Sequence, residues 1–299
     1  MLWSALIGTL EQGLIYGVMA LGVYITFRIL DFPDLTVDGS FPLGAAVVAK
    51  IIADGGNPLL GSLLAMGAGI VAGLATGFLN TKLKISGLLA GILTMTALYS
   101  VNLRIMGRAN IPLLRKPTLV SWFVQRGSAP WVLFLIVLLL TKLLLDIFLK
   151  TELGFALRAT GDNEQMLRSC GVDTDCMKLL GLALSNGLVA LSGALVAQYQ
   201  GFADVGMGIG TVVAGLASVI IGQALVRFNG LAWATVGVIV GSIVYRIAIF
   251  AALRLGLAPT DLKLITAVLV VMALSGPSWK NMWEKLWRGK GRATDIPAA

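Results

Sequence analysis

The chain has 299 residues, of which 57% are hydrophobic and 13% are charged, whereas about a quarter of an ordinary soluble domain is charged. Its mean hydropathy of +0.88 excludes a water-soluble domain, because that much apolar surface needs lipid to cover it. The apolar runs are continuous and do not alternate, which predicts membrane-spanning helices and not barrel strands. The net charge of +8 lies mostly in loops and the C-terminal tail, so membrane topology explains it and no nucleic-acid partner is predicted.

The residues available for chemistry exclude several classes of protein. Histidine is absent, and the two cysteines, Cys170 and Cys176, lie in a polar loop, so neither a metal site nor a disulfide framework is predicted. No G-x-x-x-x-G-K-[ST] motif for nucleotide phosphates is present. We therefore expect a chain that is not an enzyme and holds no cofactor of its own.

Nine apolar segments predict an all-α, polytopic membrane bundle with about eight or nine membrane-spanning helices. These segments cover residues 13–30, 41–54, 59–80, 85–106, 131–149, 177–198, 211–226, 231–252 and 262–277. The second and seventh are short enough to be re-entrant half-helices. We expect one transmembrane domain over 1–299, with a polar loop at 150–176 between halves at about 13–149 and 177–277.

The distribution of lysine and arginine predicts the orientation in a bacterial inner membrane. Residues 1–12 contain neither, so the N-terminus is expected outside, whereas loop 150–176 and the basic C-terminus are expected in the cytoplasm. One loop breaks this pattern: residues 104–126 must lie outside although they are basic. Either a crossing is miscounted or the loop is basic for a functional reason. Its basic residues are Arg104, Arg108, Arg115, Lys116 and Arg126.

The two halves show signs of an internal repeat. Three glycines in the first half, Gly22, Gly39 and Gly44, recur 171 residues later as glycines at positions 193, 210 and 215. In each half an apolar helix is followed by a polar break, at 31–40 or 204–211, and then by a helix of small residues. The crossings between the halves predict an inverted repeat, and inverted repeats with broken helices are typical of transporters.

The longest polar stretch inside the bundle, residues 150–178, contains signals for a short helix. Asp162 is predicted as its N-cap with Gln165 as the capping-box partner, and Gly171 as the residue after its C-cap. Asp173 or Thr174 can cap the next span. A helix capped at both ends can transmit a rigid-body push, although a simple connector is the alternative. The side chains it would present are Glu164, Met166, Leu167, Arg168 and Cys170.

The same stretch resembles the permeases of the branched-chain amino acid and ribose family of ATP-binding-cassette importers. It follows their G-x-x-L-R-A-x-G-x-N…G-[IV] pattern from Gly154 to Val172. Residues 20–44 and 215–222 also look like this family, and residues 30–40, LDFPDLTVDGS, are most similar to its tryptophan/tyrosine transport branch. The resemblance covers roughly residues 13–275.

This resemblance implies a fold like that of type II importers and a division of labour among subunits. Two copies of the chain would form a homodimer in the lipid bilayer, and two cytoplasmic ATPase subunits would hold ATP and magnesium. An extracytoplasmic binding protein would deliver a small polar solute, with an amino acid, and in particular an aromatic one, as the leading candidate. The residues expected to couple to the ATPase are Arg158, Gly161, Asp162, Asn163, Glu164, Met166, Leu167, Arg168 and Gly171.

Polar groups near the breaks are the candidates for the substrate pathway. They are Asp34, Thr36, Asp38 and Ser40 in the first break, Tyr99 and Asn102 on the fourth span, and Gln198 and Tyr199 beside the second break. Alternatively, these groups only satisfy backbone atoms freed where helices break. The basic loop is expected to dock acidic residues of the binding protein, with snorkelling to lipid phosphates as the alternative.

A secondary transporter driven by an ion gradient is the main competing hypothesis. It would require unpaired carboxylates deep in the spans. The only clear carboxylate within a predicted span is Asp146, and Lys142 four residues earlier is expected to neutralise it. Arg246 is also deep and needs a partner, for which residues 31, 34 and 38 offer aspartates.

Overall fold

The computed structural model describes residues 2–226, 230–256, 264, 266–268 and 271, and most of these residues are helical. The helices are α1 (Leu2–Tyr24), α2 (Val37–Ala53), α3 (Pro58–Thr81), α4 (Gly87–Met106), α5 (Leu119–Gln125), α6 (Pro130–Lys150), α7 (Glu152–Asp162), α8 (Glu164–Ser169), α9 (Thr174–Gln200), α10 (Thr211–Leu225) and α11 (Leu231–Arg254). A π turn (Ile25–Ile29) continues α1, and a 3₁₀ turn (Val205–Gly208) precedes α10. Two short strands, β1 (Asn110–Pro112) and β2 (Phe202–Asp204), complete the structure of the described residues.

Seven segments within the described ranges are long and apolar enough to cross a membrane. They are Ala5–Ile29, Pro58–Thr81, Gly87–Met106, Pro130–Lys150, Thr174–Gln200, Val205–Leu225 and Leu231–Arg254. Helix α2, at 17 residues, is a further helix of the bundle but is shorter than these. The chain is thus a multi-pass membrane protein of the predicted all-α class. The ninth predicted segment, 262–277, falls mostly outside the described residues, as does the basic tail.

The first helix begins about eleven residues earlier than predicted, at Leu2. The polar pair Glu11 and Gln12 interrupts the apolar run, and this interruption placed the predicted start at residue 13. In the structure Glu11 is buried and accepts a hydrogen bond from the Tyr199 hydroxyl at 3.0 Å. A polar residue with a buried partner can continue a helix inside a bundle, which the sequence of α1 alone does not reveal.

Helix α9 forms the centre of the bundle, and glycines let other helices approach its backbone. A Cβ atom on Gly44 of α2 would overlap the carbonyl oxygen of Ala190 in α9. A Cβ on Gly73 of α3 would likewise overlap the carbonyl oxygen of Leu182. In lipid, small residues at such crossings allow the close packing that stabilises helix pairs.

A second close pair consists of α10 and α11. A Cβ on Gly222 would overlap the carbonyl oxygen of Gly237, and one on Gly241 would overlap that of Ser218. Helix α1 packs against both α9 and α11. Side chains of these two helices donate hydrogen bonds to backbone carbonyls of α1. These bonds run from Ser192 to Ile15 and from Ser242 to Gly13.

The first predicted break, residues 31–40, is confirmed in part: residues 30–36 between the π turn and α2 are non-helical, whereas 37–40 already belong to α2. It contains Asp31 with a positive φ of 49°. Residue Ser40, in the first turns of α2, donates a hydrogen bond to Asn186 near the middle of the 27-residue α9. Helix α2 therefore begins at mid-depth in the bundle and not at its surface.

The second break is also confirmed, and it meets the first. After α9 the chain returns through β2 and the 3₁₀ turn to Gly210, whose φ is +89°. The Asp38 carboxylate in the first turn of α2 accepts hydrogen bonds from Gly210 N–H (3.0 Å), Val212 N–H (2.8 Å) and the Thr211 hydroxyl (2.9 Å). Two half-helices therefore start side by side inside the bundle. Each half has the same order of long helix, break and two helices; their inverted relation stays a prediction.

The basic loop and the polar stretch 150–176 lie at opposite ends of the bundle. Strand β1 in the loop pairs antiparallel with β2, in the register Asn110↔Asp204 and Pro112↔Phe202, and β2 directly follows the C-terminal end of α9. Helices α7 and α8 precede the N-terminal end of α9. The predicted span 131–149, which connects the basic loop to the polar stretch, corresponds to α6.

The close contact between α2 and α9 predicts a position-specific effect of adding one methyl group. Gly44→Ala should lower the midpoint of thermal inactivation in detergent, because overpacking at a backbone crossing costs about 1–3 kcal/mol. Gly67→Ala on α3 is the matched control, since its Cβ would meet no atom within 4 Å. Thermal stability measured by size-exclusion chromatography after heating should separate the variants; equal midpoints would contradict the packing.

The cap on α10 predicts a loss of stability when the Asp38 carboxylate is removed. Asp38→Ala should cost about 1–3 kcal/mol, because it leaves a helix N-terminus inside the bundle without its acceptor. Hydrogen exchange at the amides of residues 210–213 should accelerate. Asp54→Ala is the control, because Asp54 forms only an exposed ion pair with Lys50. Unchanged exchange in Asp38→Ala would show that other groups cap α10.

Candidate functional site

The polar stretch between α6 and α9 folds into two helices, of which the sequence predicted only the second. Helix α7 occupies residues up to Asp162, so this residue ends a helix and is not the predicted N-cap. The next residue takes that role: the Asn163 side chain accepts a hydrogen bond from Met166 N–H at 2.9 Å. The predicted capping box of Asp162 with Gln165 is therefore wrong by one residue, because Asp162 belongs to a helix that the sequence did not predict.

The C-terminal cap of α8 is as predicted. Gly171 has a φ of +84°, and its N–H donates to the carbonyl of Arg168 while the Val172 N–H donates to that of Leu167. This pair of bonds is the Schellman motif, which favours glycine. Of the two predicted caps for α9, Asp173 is the one observed; it accepts from two backbone N–H groups of the first turn. Short α8 is thus fixed at both ends.

Ion pairs tie α8 to α9. Glu164 accepts from Lys178 Nζ at 2.7 Å and from Arg168 Nη2 at 2.8 Å, and Arg168 also reaches Asp175 at 3.0 Å. The hydrogen bond and charge of Lys178 hold the pKa of Glu164 below its ordinary value, with partial burial opposing them. Glu164 therefore stays ionised across the physiological range, and α8 and α9 are linked as one unit.

The exposed face of this segment is apolar and differs from the predicted one. Met166 is 57% exposed, whereas Leu167, predicted beside it, is only 7% exposed because it packs inward. Phe155 of α7 is 64% exposed and was missed by the sequence analysis, which foresaw no helix there. The guanidinium of Arg158 lies 5.6 Å from the centre of the Phe155 ring. Exposed apolar side chains among charges are typical of a docking surface.

Helix α7 reaches the place where the first transmembrane helix ends. A Cβ on Gly161 would overlap the carbonyl oxygen of Ile29, the last residue of the π turn. Leu157 and Leu30 both belong to the central apolar cluster. The segment outside the membrane is therefore in direct contact with the start of the first break.

The predicted pathway residues of the first break form one buried network. Asp34 accepts from Thr36 N–H at 2.9 Å and from Asn186 Nδ2 at 2.8 Å, and Ser40 donates to the same asparagine at 2.6 Å. The hydroxyls of Thr36 and Thr76 lie 2.7 Å apart. These groups have partners within the bundle, and their role in a pathway stays a prediction.

The other predicted pathway residues lie at different places. Asn102 donates to the carbonyl of Gly39 and so adjoins the first break. Gln198 donates to Ser62 and accepts from the Leu119 N–H beside the basic loop, whereas Tyr99 is 55% exposed on α4. Tyr199, bonded to Glu11, lies on the α1 side of α9.

Buried carboxylates are more numerous than the sequence indicated. Lys142 and Asp146 form the expected ion pair, and Thr235 adds a hydrogen bond to the same carboxylate at 2.8 Å. Asp34 and Glu11 are also buried, however, so Asp146 is not alone inside the bundle. The expected lack of further buried carboxylates, which spoke against an ion-gradient transporter, is therefore not observed, although Asp34 and Glu11 both have hydrogen-bond partners.

The basic loop presents all five of its cationic side chains to the surface. They are Arg104, Arg108, Arg115, Lys116 and Arg126. No ion pair forms between these side chains and the carboxylates of the described ranges. Lys116 donates to the carbonyl of Ala53 at the end of α2, at 3.3 Å. The loop is thus a charged surface without intramolecular neutralisation in the described part of the chain.

Comparisons with known proteins give the family. A family profile described as "Branched-chain amino acid transport system / permease component" matches residues 5–275. A tyrosine transport system permease protein of Clostridioides difficile is 49% identical over 91% of both chains. An uncharacterised protein of Rickettsia prowazekii is 41% identical over 91% of this chain and 97% of its own.

A galactofuranose transporter permease protein of Escherichia coli is 31% identical over 55% of this chain and 48% of its own. No solved structure matched the chain significantly. The profile match covers nearly all of the helices that the structure describes. The chain belongs to the family of branched-chain amino acid transport system permease components.

Proposed function

We propose that this chain is the membrane-spanning subunit of an ATP-binding-cassette importer for tyrosine or a related aromatic amino acid. The observation that carries the proposal is the 49% identity to a tyrosine transport system permease over 91% of both chains. Family membership supports the transport role, and the name of the relative supports the solute.

The proposed transporter contains two copies of this chain, two ATPase subunits that hold ATP and magnesium, and an extracytoplasmic binding protein. The ATPase subunits dock on the surface formed by Phe155 and Met166, which the structure leaves exposed. The caps at Asn163 and Gly171 and the ion pairs of Glu164 support this role, because they make the surface rigid enough to transmit a push.

A physical path leads from this surface into the bundle. Closure of the ATPase dimer on ATP binding would displace α8, and with it α9 through the ion pairs of Glu164 and Arg168. The same displacement would move α7, whose Gly161 abuts the carbonyl of Ile29 at the start of the first break. Asp38 links that break to the start of α10. Alternating access then exposes the region of the two half-helices first to one side and later to the other.

The proposed orientation in a bacterial inner membrane puts α7, α8 and the C-terminus in the cytoplasm and the basic loop outside. The loop docks the binding protein through complementary charge, since its arginines are exposed and lack carboxylate partners within the described ranges. The solute passes near the first break, whose candidate residues are Asp34, Thr36, Asp38, Ser40 and Asn102, and Tyr99, Gln198 and Tyr199 lie further from it.

Placing a charge on the exposed face of α8 tests the docking of the ATPase. Met166→Glu should abolish co-purification of a P-loop ATPase from the native membrane, because it puts a carboxylate in an apolar contact while the bundle stays folded. Mass spectrometry of a gentle detergent pull-down provides the measurement. Leu114→Glu, at a leucine that is 79% exposed in the basic loop at the opposite end, is the control and should co-purify normally. Normal co-purification of the ATPase with Met166→Glu would show that the ATPase does not dock on this face.

Reversing charges in the basic loop tests the docking of the binding protein. The double variant Arg108→Glu/Arg115→Glu should weaken docking about ten-fold or more at low salt, with a smaller loss at high salt, because exposed charges are screened. Biolayer interferometry on permease in nanodiscs measures the affinity. Lys82→Glu, an exposed lysine at the other end of the bundle, is the control. Equal affinities at all salt concentrations would leave contact with lipid phosphates as the role of the arginines.

A further inference from the structure

A cavity of about 340 Å³ lies between α1, α10 and α11, beside the second break. Its position is set by the start of α10, which Asp38 holds at mid-depth in the bundle. Small-molecule sites have volumes of about 300–1,000 Å³, so the space suits one small solute. The side chains that define it are Tyr16, Met207, Thr211, Val213, Tyr245 and Arg246.

Arg246 is the one cationic side chain that lines this cavity among the described residues. Its guanidinium carbon lies 3.4 Å from the centre of the Tyr16 ring, which fixes the group by cation–π stacking. Its other polar contact is weak, with Nη1 at 3.5 Å from the Gln12 side-chain oxygen. The buried Nε atom has no hydrogen-bond partner.

The aspartates expected to neutralise Arg246 are used elsewhere. Asp34 binds Asn186 and a backbone N–H, and Asp38 caps α10. Asp31 is exposed. None of the carboxylates in the described ranges forms an ion pair with this arginine, so the expectation of such a partner is wrong.

Arg246 is partly buried, and a cation held in a membrane bundle without an anionic neighbour in the described ranges is in a costly position. A ligand that brings a carboxylate would supply the missing charge, and a guanidinium is well suited to bind it through two parallel hydrogen bonds. The remaining wall includes Met207, Val213 and Ile249, so the rest of the ligand meets apolar side chains.

We propose that this cavity is a carboxylate-binding site for the transported solute, an amino acid with a bulky apolar or aromatic side chain, and that Arg246 binds its carboxylate. This inference rests on the proposed function and names the part of the bundle that would hold the solute. The site adjoins the two half-helix starts, and transporters with broken helices hold substrates at such mid-depth positions.

Protection of a cysteine in the wall tests the site directly. In a Cys170→Ser/Cys176→Ser background, Val213→Cys is labelled with a small methanethiosulfonate reagent in the complete reconstituted transporter. L-Tyrosine at millimolar concentration should slow labelling several-fold, whereas tyramine, which lacks only the carboxylate, should not. Leu83→Cys, an exposed position in the turn between α3 and α4, is the control and should label equally with and without tyrosine.

Substitution of the arginine provides the second arm. In Arg246→Gln, the tyrosine concentration needed for protection should rise about ten-fold or more, because the charge pair between the guanidinium and the carboxylate is lost. Arg246→Lys should retain part of the protection, since lysine keeps the positive charge but lacks the two parallel N–H donors of the guanidinium. Arg254→Gln, two turns further along α11, is the control, and tyrosine should protect it at the same concentration as the parent protein.

Uptake of labelled tyrosine into the same vesicles separates the two hypotheses. Uptake without protection, or protection by tyramine equal to that by tyrosine, would overturn the site while leaving the proposed function intact. Protection that persists unchanged in Arg246→Gln would also overturn it. Protection that depends on Arg246 in vesicles without tyrosine uptake would support the cavity and contradict the proposed transport function.

Discussion

Two helices of this bundle, α2 and α10, begin inside it, and the backbone N–H groups at their N-termini need partners that lipid cannot supply. The Asp38 carboxylate provides them for α10, accepting two backbone N–H groups and one hydroxyl within 3.0 Å. It lies in the first turn of α2, so one half-helix completes the other. The cavity beside α10 and the depth at which both half-helices begin depend on this contact.

The segment on the other side of the molecule obeys a different constraint. Helix α8 has only six residues, too few to be stable alone, and its structure comes from its caps and from ion pairs to α9. These bonds are all local in sequence or directed to the next helix. The segment therefore keeps its shape while Met166, on its outer face, stays 57% exposed and accessible to a partner.

Local signals in the sequence predicted much of this architecture. Eight of the nine apolar segments correspond to helices, and the cap roles of Gly171 and Asp173 follow from the backbone preferences of single residues. The family resemblance rested on the same polar segment. Such signals act over a few residues, so they can be recognised without knowing the packing.

The errors arose where tertiary contacts decide. Leu167 and Met166 are adjacent and both apolar, and only the packing of α8 determines which one is buried. Glu11 ended the predicted first span because its buried partner, Tyr199, lies 188 residues away. Arg246 was expected to meet an aspartate, yet the aspartates bind an asparagine and a helix start across the bundle. Contacts of this range cannot be inferred from periodicity.

The glycine contacts have a mechanical consequence. Helices α2 and α3 meet α9 at carbonyl oxygens, and α10 meets α11 in the same way, so neither set can slide by a residue without a collision. Each set therefore behaves as a stiff block, with α1 between them. The two blocks touch at Gly208, where a Cβ would overlap the carbonyl of Asp38. Under the proposed function, a rocking motion about that contact would change the width of the space around Arg246 while the packing within each block stays intact.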